Sequence, residues 1–165
     1  MRMSEGVEWG LHCCSFLARL GEGETMAGRD LAEFFGLPPA YLLKNLRALA
    51  RVGVLRTTSG PRGGYRLGRL AEEITLLDVV EAIEGREHAY HCAEIRQRGP
   101  TGLDRSEYPE PCGVAVAMWR AEQAWRDSLS STTIADLAEL GHREVPREQW
   151  VKSKEWLGLV RARRA

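Results

Sequence analysis

The stretch TMAGRDLAEFFGLPPAYLLKNLRALARVGVLRTTSGPRGGYRL, from Thr25 to Leu67, leaves this chain few ways to fold. Met26 to Phe35 reads as a short helix and Gly36 as a turn. Pro38 and Pro39 suit the first turn of the next helix, where a missing N–H costs nothing. On that next helix Leu42, Leu46 and Leu49 share one side, while Tyr41, Lys44, Asn45 and Arg51 fall on or near the other, with Arg47 flanking. Val54 to Thr58 and Tyr65 to Leu67 then read as strands joined by Ser59, Gly60, Pro61, Arg62, Gly63 and Gly64. The helix pair alone fits an ordinary helical hairpin with a solvated basic face equally well. A glycine-tipped hairpin directly after it makes the order that of a winged helix-turn-helix, whose second helix enters a major groove. Glycines at the tip let the backbone approach a phosphate or enter a minor groove, with Arg62 as the inserted cation.

Charge follows the same division. The 165 residues carry no formal net charge, yet residues 1–70 hold ten Lys or Arg against six acids. A basic half joined to an acidic half suits a polyanion-facing module attached to something else, although a surplus of that size is also common on ordinary surfaces. No apolar run approaches the roughly 20 residues of a membrane span. GLHCCSFLARL, interrupted by His12 and Arg19, makes a poor signal peptide, so a cytoplasmic protein with no membrane partner is expected. Four cysteines are too few for a secreted disulfide scaffold, which leaves burial, metal binding or redox chemistry.

Around the central motif, Val7 to Leu20 has the three-and-four spacing of an amphipathic helix, with Cys13 and Cys14 as small buried hydrophobes and Trp9, beside Glu8, as a core tryptophan or a shield against solvent. EITLLDVVEAIEG offers Thr75 as an N-cap, an apolar stripe of Leu76, Val79, Val80 and Ile83, and Gly85 as the stop. Gly113 to Leu129 is a long helix with Val114, Ala117, Ala121, Ala124 and Trp125 on one side. It either crosses a two-fold mate or packs within its own chain, and the small wing domain favours the former. The tail, with Trp150, Val151, Trp156, Leu157 and Val160, reads as a further helix docked on the body. No nucleophile-and-base constellation or P-loop is present, so no enzyme is expected.

LPPAYLLKNLRALARVGVLRTTSGPRGGYRL followed by EITLLDVVEAIEG, with TTIADL further on, resembles the IscR/NsrR family of winged-helix transcription regulators over about residues 1–140. The resemblance implies a homodimer on a palindromic operator in double-stranded DNA and, in many members, an iron-sulfur cluster near the dimer interface. It yields a mainly α fold: a winged helix-turn-helix domain with a two-stranded β-wing (1–85), a cluster-binding loop (86–112), a long dimerisation helix with a short following helix (113–140), and a C-terminal helical extension (141–165). Tyr41 and Asn45 would read base edges, Lys44, Arg47 and Arg51 would contact phosphates, and Arg62 would probe the minor groove.

Cluster-bearing members usually place three closely spaced cysteines in this loop. This chain has Cys92 and Cys112 alone. A two-iron cluster needs four protein ligands, and imidazole can replace thiolate. Glu8 and His12, one helical turn apart, can converge on one centre. The set Glu8, His12, Cys92 and Cys112 resembles a redox-sensing branch of the family with mixed carboxylate, imidazole and thiolate ligands. It implies a [2Fe-2S] cluster, with the helix pair and the loop cysteines on one chain or on two. Taken residue by residue, Glu8 and His12 fit a solvated surface pair. Cys92 and Cys112 equally fit a reversible disulfide, free thiols, or a zinc site completed by His88 and His91.

Overall fold

A computed structural model describes residues 3–60 and 63–164. The described chain is mainly helical, in the order α1 (Glu5–Leu17), α2 (Gly28–Phe35), α3 (Pro39–Arg51), β1 (Leu55–Thr58), β2 (Gly64–Leu67), α4 (Leu76–Glu84), α5 (Gly113–Ser130), α6 (Ile134–Glu144) and α7 (Arg147–Arg164). This is the winged helix-turn-helix architecture with a two-stranded wing. Arg62, the expected wing-tip cation, lies outside the described residues.

The core forms where the apolar faces of the first three helices meet. Cys13, Cys14, Leu17, Leu31, Leu42, Leu46, Leu49, Val54, Leu55, Ile74 and Val79 are buried together there. Gly36 ends α2 in the left-handed region (φ 64°), a conformation cheap only for glycine, and this frees the chain to turn into α3 behind Pro38. The wing strands pair antiparallel, with Leu55 opposite Leu67 and Thr57 opposite Tyr65.

Met26 departs from the helical expectation. It makes a one-residue antiparallel bridge to Tyr65, its N–H donating to the Tyr65 carbonyl at 2.9 Å and its carbonyl accepting in return at 2.8 Å. The segment leading into α2 thus pairs with the loop end of β2, and the helix starts at Gly28.

Thr75 caps α4 as the sequence suggests, in a reciprocal capping box with Asp78. Thr133 and Asp136 build the same box on α6. The two caps also pair, since Leu76 N–H donates to the Thr132 carbonyl and Ile134 N–H to that of Ile74. α7 folds back onto α2. Val160 is buried in the core, and the Trp156 ring packs on Phe34 with centroids 5.0 Å apart. No helix among the described residues is long and apolar enough to cross a membrane.

Candidate functional site

Two sites emerge, a basic helix face and a cysteine loop. On α3, Tyr41, Lys44, Arg47 and Arg51 are all exposed. Tyr41 is 66% exposed, with its ring edge-on to Trp9. Asn45 is not on that face. It is only 8% exposed and points at α1, where a Cβ on Gly6 would lie 2.8 Å from its Nδ2. Positions 42, 45, 46 and 49 form one stripe at three-and-four spacing, so the backbone carries Asn45 inward with the leucines. The expectation that it reads a base edge is therefore corrected: Asn45 fills the space that a residue without a side chain leaves on α1.

Cys92 and Cys112, separated by a long irregular loop, come together. Their sulfurs and a Glu94 carboxylate oxygen all lie within 4.8 Å of one another. Cys112 stands at the N-cap position of α5, and the nearby backbone N–H groups of Ala115 and Val114 hold its thiol below the ordinary value. Cys92 behaves oppositely. The Glu94 N–H pulls its thiol down, but desolvation and the adjacent Glu94 carboxylate outweigh this and leave it raised. The Cys92 Sγ donates to Glu94 Oε1 at 3.3 Å.

Glu94 is itself clasped. Arg96 donates to its Oε2 from Nε at 3.1 Å and from Nη2 at 2.8 Å, which holds the carboxylate below the usual range. Arg96 is fixed in turn by the Glu110 carbonyl and by the Tyr108 ring, 4.7 Å from its guanidinium carbon. Among the described residues Glu94 is the one non-glycine with positive φ, 45°. That turn is what brings a carboxylate two positions after Cys92 back onto the sulfurs. Sequence reasoning missed Glu94 and Arg96; the alternating charges in CAEIR were the available signal.

Glu8 and His12 are exposed on α1 and do not join this group. They border a cleft of about 810 Å³ whose walls include Trp9, Phe16, Phe34, Trp150 and Leu157. His88, the proposed zinc completion, instead meets buried Glu122 on α5 at 3.3 Å, and His91 is exposed outside the cysteine group. Cys13 and Cys14 are fully buried. Burial pushes the Cys13 thiol up to about 12 and that of Cys14 higher still, so both are inert packing groups, as expected.

Comparison with known proteins agrees with this fold. Residues 3–140 match the Rrf2 family, described as iron-dependent transcriptional regulators. The HTH-type transcriptional regulator Rv1287 of Mycobacterium tuberculosis (strain ATCC 25618 / H37Rv) is 34% identical over 139 residues, which cover 84% of this chain and 81% of that protein. Among solved structures, CymR, the global cysteine regulator of B. subtilis, superposes with a TM-score of 0.67 at 23% identity, over 85% of this chain and 98% of its own. IscR of T. potens gives 0.64 at 20%, over 89% and 93%. At those identities the structural likenesses speak for the fold. Relatives are named as regulators of transcription rather than enzymes, and regulators of this type bind DNA and are generally dimeric. The chain belongs to the Rrf2 family of winged-helix transcriptional regulators.

Proposed function

We propose that the protein is a homodimeric transcription regulator whose grip on a palindromic operator responds to the redox state of a [2Fe-2S] centre. The observation that carries this reading is the convergence of Cys92 and Cys112 at the first turn of α5. α5 leaves Val114, Met118 and Trp119 exposed at 60%, 44% and 38%, a stripe suited to a two-fold mate. The cysteine pair thus stands at the root of the element that would set the spacing of the two recognition helices, about 34 Å on a B-form duplex.

The donor set fits such a centre in part within one chain. Two thiolates are supplied together, one of them already favoured by α5 N–H groups. Glu8 and His12 do not meet them in the same chain, so a four-ligand set needs the two pairs to come from different subunits. When bound, the group would supply one-electron chemistry. Cys92 and Cys112 would anchor the loop, and Glu8 and His12 would tie α1 to it. On the DNA side, Lys44, Arg47 and Arg51 would hold phosphates, Tyr41 would meet base edges, and Arg62 would enter the minor groove.

The test is footprinting on the protein's own upstream region with anaerobically purified protein, before and after one-electron reduction. Protection of a palindrome that changes with reduction supports the reading. Equal protection in both states, or none, removes it.

A further inference from the structure

The clasp around Glu94 is more elaborate than a pair of cluster cysteines requires. From its geometry we infer that the loop is also a complete mononuclear metal site within one chain, in which Cys92, Glu94 and Cys112 take a divalent ion of the zinc class and leave a fourth position open. This rests on the juxtaposition of the two cysteines but not on Glu8, His12 or a second subunit.

The distances suit a single small ion. With metal–sulfur and metal–oxygen bonds of about 2.3 and 2.0 Å, a sulfur and an oxygen bound to one tetrahedral centre lie about 3.5 Å apart. Cys92 Sγ and Glu94 Oε1 are 3.3 Å apart. Arg96 occupies Oε2, so Oε1 is the oxygen presented to the sulfurs. An outer-shell cation gripping a ligating carboxylate is the usual way such a ligand is aimed.

Charge closes as well. Two thiolates and a carboxylate around a divalent ion leave one excess negative charge, and the Arg96 guanidinium neutralises it. Backbone strain points the same way. A glutamate in the left-handed region is strained, and such strain persists where the surroundings over-determine the conformation. Here the clasp of Arg96, Tyr108 and the Glu110 carbonyl does so.

The experiment uses the full-length protein, reduced and stripped of iron without oxygen, titrated with Co²⁺ and then competed with Zn²⁺. The expected result is sulfur-to-cobalt charge transfer with visible bands of tetrahedral intensity, saturating at one ion per chain. Glu94→Gln should weaken binding at least about tenfold. Glu94→Cys should restore it with added charge-transfer intensity, which separates lost ligation from lost folding. A Glu8→Gln, His12→Ala double variant should bind as the wild type does. Unchanged affinity in Glu94→Gln, or loss in the double variant, overturns the site. Cobalt binding in a protein that never yields an iron chromophore supports it while overturning the cluster reading.

Discussion

The Arg161 guanidinium donates to both carboxylate oxygens of Glu24, at 2.6 and 2.9 Å, across 137 positions of chain. Three residues on, Arg164 donates to the Thr25 carbonyl and to the Gly63 carbonyl, each at 2.6 Å. The C-terminal helix is therefore bonded to the approach to α2 and to the wing loop just before β2.

Glu24 makes that docking acid-sensitive. Arg161 lowers its pKa in the folded chain, so the contribution is fully present above the ordinary glutamate value of about 4.3 and is lost as pH falls through the lower folded value. Because Arg161 remains largely solvated, the pair is worth about 1 kcal/mol at most. Arg161→Ala should lower Tm by about 2–4 °C at pH 7 and by progressively less in acid, as read by calorimetry across pH.

Asn45→Ala should behave as a packing mutation. Roughly 1 kcal/mol of stability should go, with base preference at the operator unchanged in a binding-site selection. Lys44→Ala, Arg47→Ala and Arg51→Ala should do the reverse. Stability should hold within about 0.5 kcal/mol, while affinity falls across all sequences and the salt slope drops by about 0.9 for each phosphate no longer neutralised.

Where β2 leaves the wing loop there is no room for a side chain on Gly64. A Cβ there would sit 2.4 Å from the Met26 carbonyl oxygen and 2.5 Å from its carbon, and both are backbone atoms. Gly64→Ala should cost about 2 kcal/mol or more, seen as a lower urea midpoint, and should weaken operator binding as the bridge to Tyr65 breaks.

Thiol labelling separates the two cysteine pairs. In the native, metal-free protein, iodoacetamide followed by mass spectrometry should modify half-buried Cys92 and also Cys112, which is 9% exposed with a lowered pKa, well before Cys13 and Cys14 at 0%. Cys13 and Cys14 should be modified only after unfolding, since burial both shields and protonates them.

Local signals made much of this fold legible in the sequence. Pro39 opening α3, Thr75 capping α4 and the glycine-rich turn between the strands act within a few residues, and periodicity places the leucines of α3 inside. Non-local pairing escaped such reasoning. Met26 becomes a bridge residue because Tyr65 is there to meet it. Asn45 is tolerated inside because Gly6 lies opposite. Glu94 joins the cysteines through a left-handed turn that no residue type announces, and the arginines at the chain end find acids and carbonyls more than 100 positions away.

The most direct test of the central claim is the visible spectrum, with iron and sulfide content, of anaerobically purified wild type, Cys92→Ala and His12→Ala. A redox centre tied to α1 and the loop predicts a chromophore with equal iron and sulfide in the wild type, its loss in Cys92→Ala and a shifted spectrum in His12→Ala. Wild-type spectra in both variants, or a colourless wild type without iron, would contradict it.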